Sequence, residues 1–125
     1  MYRACQSDLK DMDSNTFFRR VIVELGPGDN MPPRKYPLVE RHKIRKLVFC
    51  SGQIFYDLFH ARTARQVDDV LMVRIEQIAP FPFDRIAAVL QEYPEASWCW
   101  AQQEPKNMGA WYYVQARIIS QKSAL

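Results

Sequence analysis

Three short apolar segments, at regular intervals between residues 47 and 101, constrain the fold of this chain most. They are residues 47–50, Val70–Ile75 and Ser97–Ala101. The first two are almost uninterrupted in apolar residues, which is typical of strands buried on both faces of a sheet. A β-branched run at residues 20–24 predicts one more strand ahead of them.

Helical periodicity fills the intervals between these segments. Residues 53–66, 83–93 and 109–120 each predict a helix with one apolar face. The apolar positions are Ile54, Leu58 and Ala61, with Phe55 and Phe59 beside them, in the first helix; Ile86, Val89, Leu90 and Tyr93 in the second; and Trp111, Val114 and Ile118 in the third.

The alternation of strand and helix with short connections predicts the α/β class. The expected architecture has three layers, a mainly parallel sheet with helices on both faces. The 125 residues suffice for one domain of the usual size. Residues 1–16 are polar and are interpreted as a linker, and residues 17–125 as the domain, with a basic, proline-rich loop at 31–46.

Composition excludes several classes of function. The net charge of +3 is too small to indicate a nucleic-acid or membrane partner by itself. The longest apolar runs, 86–90 and 110–114, fall far short of the roughly 20 residues of a membrane span. Three scattered cysteines and two distant histidines give neither a disulfide framework nor the paired ligands of a structural zinc site.

Polar residues follow each of the three predicted parallel strands. Ligands of open α/β sheets meet the loops at the carboxyl ends of the strands. The interface or ligand-loop candidates are Ser51, Gly52 and Gln53 after the first strand, Glu76 and Gln77 after the second, and Glu104, Lys106 and Asn107 after the third. The alternative interpretation of the third loop is a capping turn that contacts a neighbouring domain.

The only concentration of charge lies between residues 34 and 46, with six bases and one acid. Arg41, Lys43 and Arg45 are its candidate anion contacts. This segment supports an alternative hypothesis, a stand-alone α/β module that binds anions or nucleic acid. A solvated loop is the simpler interpretation.

Cys50 at a strand end invites a nucleophile hypothesis, which a neighbouring base would have to support. His60 lies about 10 Å further along the predicted helix at 1.5 Å per residue. A buried, unreactive thiol is therefore the favoured interpretation. Strand alternation predicts Trp98 and Trp100 on one face, whereas Trp111, Tyr112 and Tyr113 cannot all face one small core.

Several longer strings resemble the dehydrogenase (E1) component of the 2-oxoglutarate dehydrogenase family. They occur in order between about residues 17 and 118. The strings are FRRVI at 18–22, FCSGQ at 49–53 with YDL at 56–58, VRIEQIAPFPFD at 73–84, and EPKNMGAW at 104–111, preceded by Trp100. The 2-oxoadipate-directed relative of that family is an alternative match.

This resemblance implies the C-terminal, transketolase-like domain of a thiamine-diphosphate enzyme that decarboxylates a 2-oxo acid oxidatively. The implied cofactors, thiamine diphosphate and Mg²⁺, are held by other domains, so no catalytic residue and no metal ligand transfers to this chain. The implied partners are the preceding domains, a second E1 subunit and the dihydrolipoyl succinyltransferase (E2), with an acyl-CoA effector in some relatives. The implied location is the mitochondrial matrix in a eukaryote or the cytoplasm in a bacterium.

The chain departs from the family pattern in three places. Gln103 stands where the family usually has a glutamate, so an ion pair or ligand contact there is in doubt. The basic segment at 31–43 is longer than is usual in the family. Family members continue into a further strand and helix, so we expect a domain truncated at its C-terminus.

Overall fold

The computed structural model describes residues 9–25 and 36–124. Four strands form one sheet in the order β1-β3-β2-β4. The strands are β1 (Val21–Val23), β2 (Lys46–Cys50), β3 (Val70–Ile75) and β4 (Ser97–Ala101); the helices are α1 (Ile54–Ala64), α2 (Phe83–Glu92) and α3 (Trp111–Ser123), with one-turn 3-10 helices at Leu9–Met12 and Arg41–Lys43.

β2 lies at the centre of a parallel group of three strands. It pairs with β3 on one side and with β4 on the other, and Leu47 is the register partner of both Leu71 and Trp98. β1 pairs antiparallel with β3, with Val21 opposite Ile75. The sheet is therefore mixed and mainly parallel, which confirms the predicted class and adds the opposite direction of the first strand.

Alternate residues of each strand point to two separate apolar clusters. Leu47, Phe49, Leu71 and Val73 belong to the larger cluster, together with the buried faces of α2 and α3. Cys50 and Met72 belong to the smaller cluster, with α1. Helices thus cover both faces of the sheet, as predicted, because the strands are apolar on both sides.

The buried face of α1 differs from the predicted stripe. Phe55, Tyr56 and Phe59 are buried, whereas Ala61 is exposed and Ile54 and Leu58 are only partly buried. The predicted apolar face is therefore confirmed for Phe55 and Phe59, holds in part for Ile54 and Leu58, which pack against the smaller cluster, and was wrong for Ala61. The helix turns its three aromatic rings to the sheet because they remove more apolar area from water than the smaller residues do.

The tryptophans of β4 lie as predicted. Trp98 and Trp100 both pack against the larger cluster, and the Trp98 ring meets the ring of Phe49 edge-on at 6.5 Å between centroids. At the start of α3, Tyr113 packs against the same cluster while Tyr112 is exposed. The three adjacent aromatic residues therefore do not share one core, as expected.

A buried ion pair joins β1, β3 and α1. Glu24 is completely buried, and Arg62 of α1 is 8% exposed. The Arg62 guanidinium donates to both carboxylate oxygens of Glu24, at 2.7 Å from Nη1 to Oε2, and also to the Val70 carbonyl at 2.7 Å. The Met72 amide donates to the same Glu24 oxygen at 3.1 Å. Each charge thus has a partner in the other and in the sheet backbone, and only the Arg62 Nε of this group is buried without a hydrogen-bond partner among the described residues.

None of the helices within residues 9–25 and 36–124 is both long and apolar enough to cross a membrane.

Replacing Glu24 by Ala should lower the free energy of unfolding by about 3–5 kcal/mol, because the Arg62 charge stays buried without its partner. The double variant Glu24→Leu, Arg62→Met should lose much less, because no charge is left behind. Urea unfolding followed by circular dichroism measures both.

The exposed pair of Arg45 and Asp69, 2.8 Å apart, provides the control. Arg45→Ala should change stability far less than Glu24→Ala, because water replaces the lost contact. Equal losses in the single and double variants at the Glu24–Arg62 pair would contradict the explanation based on a stranded charge.

Candidate functional site at the carboxyl edge of the sheet

The three parallel strands end at the same edge of the sheet, and each is followed by a predicted loop. Residues 51–53 lead into α1, residues 76–82 lead into α2, and residues 102–109 lead towards α3. Gly52 has a φ of +73°, a conformation that favours glycine, and a Cβ there would meet nothing within 4 Å. A glycine is therefore favoured at position 52 by the backbone conformation of the turn and not by a close neighbour. Ser51 is half-buried and Gln53 is exposed beside it.

An arginine of β3 connects the second loop to α1. The Arg74 Nε donates to the Glu76 carboxylate at 2.9 Å, and both side chains are largely shielded from solvent. The Arg74 guanidinium also lies over the rings of Phe55 and Tyr56, at 4.9 and 5.6 Å from their centroids. Glu76, a predicted site residue, is thus held in an ion pair at the start of its loop.

Gln102 organises the third loop with its side chain. Its Oε1 accepts from the indole Nε1 of Trp100 at 2.9 Å. Its Nε2 lies 2.8–3.0 Å from three loop carbonyl oxygens, those of Glu104, Pro105 and Met108. One side chain therefore closes the loop by bonding to groups that would otherwise need water.

Gly109 completes this arrangement at the far end of the loop. Its φ is +68°, and an added Cβ would lie 3.1 Å from Gln102 Oε1 and 3.1 Å from Glu104 Oε2. Both the backbone conformation and the close approach of these two side chains favour glycine here. The loop is thus compact, with Glu104 folded over its base.

Two exposed residues stand at the tip of this loop. Lys106 and Asn107 are both exposed. They form a polar tip on a loop whose base is fixed by Gln102. In the second loop, Gln77 Nε2 donates to the Pro80 carbonyl at 2.9 Å, next to the cis Ala79-Pro80 bond. The predicted residues Gln77, Glu104, Lys106 and Asn107 therefore lie on the same edge as Ser51, Gly52 and Gln53.

Gln103 links the third loop to α1. Its Nε2 lies 3.5 Å from Oδ2 of Asp57, a long hydrogen bond between two exposed side chains. A glutamate at this position would place a second carboxylate beside Asp57. The Gln103 amide can therefore donate to Asp57, whereas the carboxylate of the glutamate usual in the family would be repelled by it.

The basic segment lies at the opposite edge of the sheet. Arg45 immediately precedes β2, at the amino end of the parallel strands. Each predicted anion contact faces a carboxylate: Arg41 with Glu92 at 2.9 Å, Lys43 with Glu40 at 3.2 Å, and Arg45 with Asp69 at 2.8 Å. The Arg45 guanidinium holds the pKa of Asp69 below its usual range. Residues 31–35 of the basic loop lie outside the described residues.

Cys50 lies at the end of β2, completely buried in the smaller cluster. Burial raises its pKa to about 12, and the nearby Arg74 lowers it only in part. A thiol with this pKa is almost entirely protonated at neutral pH, so it is a poor nucleophile. The geometry agrees with the interpretation of Cys50 as a core residue.

The sequence predicts the positions of the loops but not the residues that fix them. Gln102 follows Trp100 by two positions at the end of a strand. That spacing is the one sequence signal for the hydrogen bond between the Trp100 indole and the Gln102 side-chain amide. Arg62 shares a face of the helix with Phe55 and Phe59. A cation on this apolar face indicates that a carboxylate partner is buried beside it. Glu24 ends the first predicted strand, but nothing local pairs it with Arg62.

Gln102→Ala should open the third loop, because one substitution removes all four hydrogen bonds of the side chain. We expect amide hydrogen exchange of residues 103–109 to accelerate by at least about tenfold, while β2 and β3 stay protected. Gln103→Ala is the matched control, since it removes only the long contact to Asp57. Equal exchange in the two variants would contradict the role given to Gln102.

The stability of the chain should fall as pH rises above about 9 and continue to fall towards about 12. The unfolded thiol of Cys50 releases its proton near pH 9, whereas the folded thiol keeps it to about pH 12, so the unfolded state gains from deprotonation. Urea unfolding between about pH 7 and 10.5 measures the slope.

Cys50→Ala should flatten that slope, even though it lowers stability at neutral pH. Cys99→Ala is the control; burial also raises the pKa of Cys99, but that side chain is only half-buried. An unchanged slope in Cys50→Ala would show that other groups cause the alkaline loss.

Comparisons with known proteins identify the family of this chain. The model of the family described as 2-oxoglutarate dehydrogenase C-terminal matches residues 6–124. The chain is 41% identical over 107 residues to the mitochondrial 2-oxoglutarate dehydrogenase of Dictyostelium discoideum, which covers 86% of this chain and 10% of the relative. It is 40% identical over 116 residues to the enzyme of the same name from Caenorhabditis briggsae, covering 92% of this chain and 10% of the relative.

A further relative is the mitochondrial 2-oxoglutarate dehydrogenase-like protein of Pongo abelii, 38% identical over 110 residues, with 87% of this chain and 10% of the relative covered. The chain thus spans about a tenth of the length of the curated relatives it matches. These matches do not support the alternative of a stand-alone anion- or nucleic-acid-binding module. They confirm the resemblance found in the strings of residues: the chain belongs to the 2-oxoglutarate dehydrogenase C-terminal family.

Proposed function

We propose that this chain serves as a C-terminal domain in the E1 component of a 2-oxoglutarate dehydrogenase, where its carboxyl-edge loops contact the preceding domains and a second E1 subunit. The parent enzyme would decarboxylate 2-oxoglutarate oxidatively and pass the acyl group to lipoamide on E2. The observation that carries the proposal is the family match, which extends over residues 6–124 and therefore includes all three loops.

The geometry of the third loop supports a contact role. Gln102 fixes the base of the loop through four hydrogen bonds, so Lys106 and Asn107 at its tip are presented in one arrangement. A preordered loop loses little conformational entropy when it binds a partner. Glu76 and Arg74 neutralise each other beside it, whereas Lys106 and Asn107 are exposed and are polar groups available for contact.

The described residues at the carboxyl edge do not fit the cofactor of the parent enzyme. Magnesium bound to a diphosphate needs oxygen ligands that converge. Residues 9–25 and 36–124 contain no group of three His, Cys, Asp or Glu side chains that could hold a metal ion. At the carboxyl edge the acids are separated, with Glu76 paired to Arg74 and Glu104 folded over Gly109. As the resemblance to the E1 family implies, we propose that thiamine diphosphate and Mg²⁺ are held by the other domains of the parent.

The names of the relatives support the finer parts of the proposal. All three relatives described above are named mitochondrial, so we place the parent in the mitochondrial matrix. They are named for 2-oxoglutarate, which favours that substrate over 2-oxoadipate. An acyl-CoA effector gains no support from Arg41, Lys43 and Arg45, because each of these cations already faces a carboxylate.

A chimera tests the proposal. The matching region of the Caenorhabditis elegans relative, which is 40% identical over 116 residues, is replaced by residues of this chain. We expect the chimera to form a dimer and to retain 2-oxoglutarate-dependent reduction of an artificial electron acceptor. The isolated 125-residue chain should show no such activity and no thermal stabilisation by thiamine diphosphate with Mg²⁺.

Two variants of the chimera separate assembly from folding. Lys106→Ala with Asn107→Ala removes the tip without touching the Gln102 bonds and should weaken dimer formation or activity. Arg65→Ala, an exposed position at the end of α1 that is distant from the loop 51–53, should change neither. A chimera that folds and forms dimers but has no activity, or a tip variant indistinguishable from Arg65→Ala, would contradict the proposed role of the loops.

A further inference from the structure

Large apolar side chains are exposed at the carboxyl edge of the sheet, next to its polar loop residues. Phe83 at the start of α2 is 42% exposed, Met108 in the third loop is 60% exposed, and Tyr112 in the first turn of α3 is 66% exposed. All three lie where the parallel strands end, because α2 and α3 begin there. Apolar and aromatic side chains exposed among polar ones are typical of a surface that another protein covers.

The backbone of Met108 is fixed by the loop that carries it. The Met108 amide donates to the Pro105 carbonyl at 2.9 Å, and the Met108 carbonyl accepts from Gln102 Nε2 at 2.8 Å. Both bonds use main-chain atoms of Met108, so its thioether is exposed on a constrained loop. A chemical change at the sulfur therefore alters what the loop offers for contact, while these two hydrogen bonds stay in place.

Of the three exposed apolar side chains, only the thioether of Met108 is readily oxidised by hydrogen peroxide. The sulfur attacks one peroxide oxygen, the O–O bond breaks, and the sulfur gives up two electrons, which yields the sulfoxide and one molecule of water. A thiol-dependent reductase reverses this step, because two thiols supply two electrons, become a disulfide and release the sulfoxide oxygen as water. Oxidation thus replaces a flexible apolar group by a polar one.

Two further methionines of the described residues provide internal references. Met72 is 2% exposed and belongs to the smaller apolar cluster. Met12 is 76% exposed and lies outside the three carboxyl-edge loops, in the 3-10 helix Leu9–Met12. Because susceptibility to oxidation follows exposure, Met12 should react like Met108, and Met72 should not.

We propose that Met108 is a reversible oxidation site that controls docking of the carboxyl edge. The thioether packs against an apolar part of the partner surface, whereas the sulfoxide brings a polar oxygen into that contact, which is unfavourable without a hydrogen-bond donor. Docking covers the sulfur, so peroxide acts on the undocked domain and prevents assembly. This inference rests on the proposed function, because the contact that it regulates is the contact proposed there.

Peptide mass spectrometry after peroxide treatment measures the reactivity of each methionine in the full 125-residue chain. Met108 and Met12 should oxidise at rates within about threefold of each other, and Met72 at least about tenfold more slowly. In the dimer of the chimera, Met108 should oxidise at least about fivefold more slowly than in the isolated chain. Met108 that reacts as slowly as Met72 in the isolated chain, or equally fast in the chimera dimer and the isolated chain, would overturn the inference.

Sedimentation equilibrium of the chimera measures the effect on docking. Peroxide treatment at a concentration below the dimer dissociation constant should raise that constant by at least about fivefold, and methionine sulfoxide reductases A and B should reverse the change. The same treatment should change the constant of the Met108→Leu chimera by less than about twofold, because no sulfur is present at this position. Met12→Leu is the matched control and should respond to peroxide as the unsubstituted chimera does. Met108→Gln, which carries a polar group permanently, should weaken the untreated dimer.

The outcomes distinguish this inference from the proposed function. A chimera that forms no dimer before treatment would contradict the proposed function, and the inference falls with it. A dimer that forms but weakens equally in the chimera and in its Met108→Leu variant overturns the inference alone. So does a dimer that keeps its dissociation constant after Met108 is fully converted to the sulfoxide.

Discussion

The buried contact between Glu24 and Arg62 fixes the position of α1, and the carboxyl edge of the sheet depends on that position. β1 is only three residues long, and Glu24, which follows it, adds two hydrogen bonds to β3. The Glu24 amide donates to the Met72 carbonyl, and the Glu24 carboxylate accepts from the Met72 amide. Arg62 then holds the end of α1 against both strands. At the other end of the same helix, Phe55 and Tyr56 support Arg74, and Asp57 meets Gln103. The same helix thus carries a buried charge pair at one end and contacts the polar loop residues at the other.

The sequence was sufficient to predict most of the architecture. Apolar strands and periodic helices specify the three-layer fold because both are read from local spacing. The direction of β1 and the rotation of α1 were not readable, because they depend on contacts between residues distant in the chain. Glu24 and Arg62 are 38 positions apart, and no local pattern pairs them. The large aromatic rings of α1 decided its orientation against a stripe of smaller residues that fits the helical period equally well.

The candidate site shows the same division. The position of the three loops follows from parallel pairing, so Glu76, Glu104, Lys106 and Asn107 were placed at the correct edge from spacing alone. Their individual states were not predictable. Glu76 is neutralised by Arg74, the Glu104 carboxylate lies close to Gly109, and Lys106 and Asn107 are exposed at the tip of the third loop. The partners of the predicted anion contacts could not be predicted from local sequence. Arg41 pairs with Glu92 and Arg45 pairs with Asp69, and both acids are distant from these arginines in the sequence.

The bond between Trp100 and Gln102 gives the third loop an intrinsic optical reporter. Indole emission depends on the hydrogen bonding and polarity around its N–H group, and this N–H group ends on the amide that closes the loop. The Trp111 indole differs, since its Nε1 is buried and has no hydrogen-bond partner among the described residues. A partner that binds the loop and displaces Gln102 therefore changes the surroundings of the Trp100 indole N–H. Engagement of this edge can be followed in the unmodified protein, without a dye or an added label.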